Sequence, residues 1–277
     1  MTDGREPTRR VVVVADGVAL RVLDTPGDGR AFVLVHGLAS NARLWDGVAG
    51  HLAAAGHRVV AADLRGHGRS DAPATGHDTA TAAADLARLC RVLDLNAPVL
   101  VGQSWGANVV LRLATEYDGV RAVGCVDGGW IHLADRFRTW ADCLAALSPP
   151  VFNGVTMSAF EQRLRRRHPD WSDAAIAGTM ANLSTGPDGS VRARLAREHH
   201  LSILRSLWED RPRERYARVD VPVLLLPAGG PDDPGRALVT EAASALPRAR
   251  VRWYPGADHD LHAQHPDQVA VDLRTLT

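Results

Sequence analysis

Residues Val99 to Val110 read Val-Leu-Val-Gly-Gln-Ser-Trp-Gly-Ala-Asn-Val-Val, an apolar run that passes through Gly-x-Ser-x-Gly into an apolar helical pattern. A strand that becomes a helix within about two residues leaves no room for side chains beside the turn, which explains glycine at 102 and 106. The serine hydroxyl of Ser104 is then forced outward from a strained backbone. Such a turn requires a strand with a helix packed directly after it, so the chain around it must supply an α/β arrangement.

The rest of the sequence meets that requirement. Apolar runs of four to seven residues alternate with helical patterns, as in a mostly parallel sheet covered on both faces. Val11 to Val14 and Val18 to Leu23 suggest an opening hairpin, and Phe32 to Val35, Val59 to Ala62, Val99 to Val101 and Ala122 to Val126 follow as buried strands. Helical stretches lie near Leu44 to Ala54 and Ala80 to Leu95, the second with Leu86, Leu89 and Leu93 at helical spacing. After Asp127 the rhythm stops. Residues 130–218 read as helices and hold four of the 7 Trp and three of the 4 Phe. Strands resume with Val221 to Leu226 and Val251 to Tyr254, each followed by a helical stretch. With 277 residues, 45% of them hydrophobic, one large core carrying an insertion is the natural organisation. The expected division is a core of residues 1–129 and 219–277 and a helical insertion of 130–218.

Four segments in this order carry a resemblance to the α/β-hydrolase fold family over nearly the whole chain: His36-Gly37-Leu38-Ala39-Ser40, Asp63-Leu64-Arg65-Gly66-His67-Gly68-Arg69-Ser70, Gly102 to Gly106, and Gly256-Ala257-Asp258-His259. The resemblance implies a mostly parallel sheet sandwiched by helices, an inserted helical cap, and a serine hydrolase that needs no cofactor. A serine hydroxyl is a poor nucleophile at neutral pH and requires a base. His259, after the last strand, fits that part. The resemblance places the oxyanion donors at the backbone N–H groups of Leu38 and Trp105, the latter at a helix N-terminus where the macrodipole favours negative charge.

Two carboxylates compete for the acid behind His259. Gly229-Gly230-Pro231-Asp232 lies where the family usually carries its acid, in a Gly- and Pro-rich loop in which Asp233 is adjacent. Asp127 ends the strand after the nucleophile helix, where some relatives carry theirs. Trp105 directly after the nucleophile resembles dehalogenases and epoxide hydrolases of this fold, but their nucleophile is aspartate. A serine instead forms an acyl-enzyme from an ester, lactone or thioester. Carbon–carbon bond hydrolysis and secondary-metabolism hydrolase or cyclase chemistry are alternatives on the same residues, and a non-catalytic binding protein would be expected to have lost Ser104 or His259.

Other features narrow the partners. All 32 basic residues are arginine, which excludes a lysine Schiff base or a Walker-type phosphate loop, and the formal net charge of +0 favours neither nucleic acid nor an anionic membrane. A small molecule remains, with Trp130 and Trp140 as candidates for lining an apolar or aromatic substrate pocket. Cys90, Cys125 and Cys143 are dispersed in apolar runs and read as buried thiols of a cytoplasmic protein. The first ten residues carry no apolar targeting segment. His259, His262 and His265 recur every three residues and drift off one helix face, so no metal site is expected from them. His67 resembles a structural turn residue of the family. The basic run Arg163 to His168 reads as a solvated helix face with some capacity for an anionic group.

Overall fold

The computed structural model describes residues 6–152, 154–186, 189–230, 232–233 and 235–277. The first five residues of the amino terminus, and Pro231 and Pro234 of the Gly- and Pro-rich loop, lie outside that set. In chain order the elements are β1 (Thr8–Ala15), β2 (Val18–Thr25), β3 (Ala31–Val35), α1 (Asp46–Ala54), β4 (Arg58–Ala62), α2 (Thr79–Val92), β5 (Val99–Gln103), α3 (Trp105–Glu116) and β6 (Ala122–Val126). Then come α4 (Trp140–Leu147), α5 (Met157–Arg167), α6 (Asp173–Met180), β7 (Leu183–Thr185), β8 (Val191–Ala193) and α7 (Arg197–Glu209). The chain closes with β9 (Val223–Leu226), α8 (Arg236–Ala245), β10 (Ala249–Val251), α9 (Leu261–Gln264) and α10 (Pro266–Arg274).

The main sheet runs β1-β2-β4-β3-β5-β6-β9-β10. Pairing is antiparallel for β1–β2 and β2–β4 and parallel from β4 onward. Period-2 alternation divides its side chains between two helical layers. Val33, Val35, Leu100, Val123 and Leu225 pack with Leu86, Leu89, Val109 and Leu113 of α2 and α3. Phe32, Leu34, Val99, Val101 and Leu226 pack on the other face with Leu52, Val269 and Leu273 of α1 and α10. Both faces of the central parallel strands are covered, so these are apolar nearly throughout, whereas the edge strand β1 is largely exposed and carries Arg9 and Arg10. Asp78 caps α2, its carboxylate accepting from the Thr81 N–H at 2.8 Å.

Three local departures have physical causes. The segment between β6 and β9 is not all helix: Leu183–Thr185 and Val191–Ala193 form a two-stranded antiparallel hairpin. Only Leu183 and Val191 of these strands are buried, so three residues of polar alternation leave almost no pattern to read. Strand β9 starts at Val223 because Pro222 has no N–H to give to the ladder. Strand β10 ends at Val251, but Arg252 and Tyr254 still donate to the carbonyls of Leu225 and Pro227 at 2.9 and 3.0 Å, so the pairing continues irregularly to Tyr254. Among the described residues, no helix is long and apolar enough to cross a membrane.

Candidate active site

Ser104 sits between β5 and α3 with φ 53° and ψ −120°, a backbone conformation that costs a non-glycine residue about 1–3 kcal/mol and persists only where the surroundings enforce it. The enforcement is steric. A Cβ on Gly102 would lie 2.2 Å from the Gly106 carbonyl oxygen, and one on Gly106 would lie 2.5 Å from the carbonyls of Val35 and His36. The elbow therefore needs glycine at both flanks, as its spacing predicts. The Ser104 N–H donates to the Val126 carbonyl at 2.9 Å, which locks the turn to the end of β6.

At that strand end Asp127 also has positive φ, 42°. Its Oδ1 accepts the Ala228 N–H at 3.0 Å and its Oδ2 lies 2.5 Å from His259 Nδ1. Of the two carboxylates expected behind His259, the structure brings Asp127 against the imidazole and leaves Asp232 exposed in the turn after β9. The neighbouring Asp233 closes its own turn, accepting the Gly230 N–H at 3.3 Å. The loop after β9 thus serves the site through the Ala228 amide, which aims Asp127, and not through the carboxylate at 232.

His259 is half-exposed, and Gln103 Nε2 donates to its carbonyl at 3.2 Å, which ties the base-bearing loop to the residue before Ser104. Burial of its surroundings pulls the imidazole down, but the hydrogen bond to Asp127 and the charges of Asp260 and Asp127 outweigh it and hold the pKa above the ordinary histidine value. Asp260 itself is pushed up, chiefly by burial.

The Leu38 loop rests on two buried histidines. His36 Nδ1 donates to the Gly37 carbonyl at 2.7 Å and Nε2 accepts the Leu64 N–H at 3.0 Å. His67 Nδ1 donates to the Arg65 carbonyl at 3.0 Å, and Nε2 accepts the Ala39 N–H at 3.3 Å. These partners assign the Nδ1-protonated tautomer to both rings. Burial drives both pKa values below the ordinary range, so both stay neutral. Among the described residues, the N–H groups of Leu38 and Trp105 meet no backbone acceptor. The Trp105 indole is fully buried and donates to Thr79 Oγ1 at 3.1 Å. Thr79 in turn meets Ser206 of α7, with the hydroxyls 3.0 Å apart and the Thr79 N–H donating to Ser206 Oγ at 2.9 Å.

The insertion also grips the base-bearing loop. His168 Nδ1 lies 2.8 Å from Asp258 Oδ2, and Gln264 donates to Asp170 at 2.6 Å while its Oε1 accepts the Asp258 N–H at 2.7 Å. These contacts converge on the residue before His259, and no sequence pattern announced them. His168 thus faces the site loop, whereas Arg165 of the same run pairs with Glu161 and Asp173.

A cavity of about 210 Å³ opens beside Ala39, His67 and Gly68, with Pro149, Phe152, Phe160 and Leu195 among its walls. Neither tryptophan expected in a pocket lines it. Trp140 packs edge-on against Trp208 at 5.6 Å under the Arg205 guanidinium, and Trp130 lines a small cleft with His132 and Tyr216. The remaining histidines are dispersed: His262 is buried against Trp45, His199 stacks on His77 at 3.6 Å, and His200 Nε2 meets the Leu147 carbonyl at 3.0 Å. The three cysteines are buried thiols, and burial pushes Cys90 up to about 12.

Comparison with known proteins adds an independent line. The profile of the Alpha/beta hydrolase family matches residues 32–273. A non-heme chloroperoxidase of Streptomyces lividans is 30% identical over 95% of this chain and 97% of its own length. A 2-(acetamidomethylene)succinate hydrolase of Mesorhizobium japonicum is 28% identical over 91% of this chain and 88% of its own. Among solved structures, E-2-(acetamidomethylene)succinate hydrolase superposes with a TM-score of 0.80 at 25% identity, covering 98% of each chain. The thioesterase domain from the curacin biosynthetic pathway shares the fold, with a TM-score of 0.78 at 21% identity over 97% of this chain and 99% of that one.

Proposed function

This chain belongs to the alpha/beta hydrolase family, and from that premise we propose that it is a serine hydrolase cleaving a carboxylic ester, lactone or thioester of a small organic molecule through an acyl-enzyme. The observation that carries the reading is the Asp127–His259 hydrogen bond behind a serine held on a strained strand-to-helix turn. With its Nδ1 proton engaged by Asp127, the imidazole keeps Nε2 free as an acceptor. Ser104 Oγ attacks the acyl carbon as His259 takes its proton. The carbonyl electrons move to oxygen, and the N–H groups of Leu38 and Trp105 receive the oxyanion, each worth about 3 kcal/mol at such a site. Collapse expels the alcohol or thiol, protonated by His259, and water repeats the sequence on the acyl-enzyme. Asp127 stabilises the imidazolium formed in each half-reaction.

Residues 130–218 act as a cap over Ser104 in this reading, with residues 1–129 and 219–277 as the catalytic core. The grip of His168 and Asp170 on the base-bearing loop supports it. Phe152 and Phe160 in the cavity beside Ala39 support an apolar segment in the substrate. The buried reduced cysteines fit a cytoplasmic location. Labelling with a fluorophosphonate probe and turnover of a short p-nitrophenyl ester test the proposal: both are expected in the native protein and both vanish in Ser104→Ala. Labelling or turnover that survives that substitution overturns it.

A further inference from the structure

Between the β1–β2 edge and helices α5 and α6 lies a second, open cavity of about 910 Å³. Seven of its 21 lining residues are arginines, against 32 of 277 in the whole chain. Its carboxylates do not answer that charge. Asp63 spends one oxygen on the Ala42 N–H at 2.8 Å and the other on the Arg69 N–H at 2.9 Å, and Glu161 and Asp173 are both held by Arg165. Arg10 and Arg43 pair with Asp24 and Asp46. Among the described residues, Arg9, Arg21, Arg69 and Arg194 have no carboxylate partner. They come from β1, β2, the loop after β4 and the segment after β8, so four separate parts of the chain deliver uncompensated guanidinium groups to one cavity. Arg194 is also anchored, its Nε donating to the Ala181 carbonyl at 3.0 Å, which leaves its terminal nitrogens available.

The position of this cavity gives the charge a direction. Gly68 and Arg194 line both it and the apolar cavity beside Ala39. The smaller cavity, with Phe152, Phe160 and Leu195, touches the Leu38 loop at Ala39 and Ser40, whereas the larger one carries the other six arginines. We infer that the arginine-lined cavity binds the anionic far end of the substrate, an ester or thioester whose apolar segment fills the smaller cavity and whose terminus is a carboxylate or phosphate held by Arg21, Arg69 and Arg194. Guanidinium is suited to either group because its planar donors match two oxygens at once. The inference rests on the reading of Ser104 as an acyl-transfer nucleophile, and it replaces a wholly apolar substrate with an amphiphilic anion.

Two p-nitrophenyl esters of equal chain length test it, the octanoate and the monoester of octanedioic acid, with a phosphate-terminated analogue to separate carboxylate from phosphate. Native protein is expected to favour an anionic ester in kcat/KM by about tenfold or more, the worth of one hydrogen bond to a charged group. Arg21→Gln with Arg69→Gln should erase that preference through KM, and about 0.5 M salt should reduce it. Both side chains are exposed, so folding is not at stake. Equal kcat/KM for charged and neutral esters, or a preference untouched by the double substitution, overturns the inference while leaving acyl transfer standing. Calorimetric binding of octanedioic acid monomethyl ester to Ser104→Ala supplies the converse: affinity lost with the two arginines supports the cavity even if no ester is turned over, and no binding counts against it.

Discussion

Replacing Asp127 by asparagine exchanges one carboxylate oxygen for an NH2 group and should remove most of the activity. Asp127 Oδ1 accepts from Ala228 and Oδ2 from His259, and an asparagine can keep only one of these as an acceptor. If its oxygen stays with the Ala228 N–H, its amide presents hydrogen atoms to His259 Nδ1. The imidazole then relieves the clash by moving its proton to Nε2, the nitrogen that must accept from Ser104. The substitution thus costs both the correct tautomer and the charge that stabilises the imidazolium, and in a serine triad that combination is worth about 10⁴ in kcat, or roughly 5 kcal/mol. Asp232→Asn, at an exposed position, should change kcat by less than about twofold. The pH profile gives a second handle. Asp127 helps hold His259 above its ordinary pKa, so the native enzyme gains activity as pH rises through that elevated value and the base loses its proton. Without the carboxylate the residual activity should titrate at lower pH. Initial rates on a p-nitrophenyl ester across pH 5 to 9, with circular dichroism to verify folding, measure both. Activity retained within about tenfold in Asp127→Asn, with a large loss in Asp232→Asn, would refute the assignment.

Two further predictions concern residues outside the reacting atoms. His262 is 1% exposed, both ring nitrogens lack a partner among the described residues, and burial holds its pKa down at about 3. The unfolded chain takes up a proton there near pH 6.5 while the folded chain does not, so this residue lowers stability as pH falls, by about 2 kcal/mol at pH 5. His262→Phe, which keeps a ring against Trp45, should flatten the dependence of the melting temperature on pH between 7 and 5; an unchanged slope refutes the account. His168→Ala should lower kcat by about tenfold at nearly constant KM by releasing Asp258, with a melting point about 2–4 °C lower, and His168→Gln, which keeps a donor, should restore most of the rate. Loss of stability without loss of kcat would make His168 structural only.

The core and the elbow were legible because they rest on local rules. Buried parallel strands must be apolar on both faces, and a turn as tight as Gly102 to Gly106 excludes side chains by contact with backbone only a few residues away or on the adjoining strand. The acid was not legible to the same degree. Asp127 and Asp232 each follow a strand at a plausible place, and the choice depends on how the loop after β9 meets the end of β6, a contact between residues 101 apart. The hairpin β7–β8 is too short to show a period. Trp130 and Trp140 look like pocket residues by composition, but Trp208 and the Arg205 guanidinium engage Trp140. The arginine cavity is invisible in sequence for the same reason as the acid, since residues 9, 21, 69 and 194 meet only in three dimensions.

The chain of hydrogen bonds from the Trp105 indole through Thr79 to Ser206 bears on how this protein can be recombined with its relatives. The segment between β6 and β9 looks like an interchangeable part, joined to the rest by two crossings of the backbone. Yet one of its serines holds the threonine that accepts from the indole beside the nucleophile, and one of its histidines steadies the loop that bears the base. A chimera that imports another protein's insertion inherits a Thr79 hydroxyl and an Asp258 carboxylate cut for partners it no longer has. Transplants that carry matching groups at both seams should work as enzymes, while those matched only in length should fold and turn over poorly.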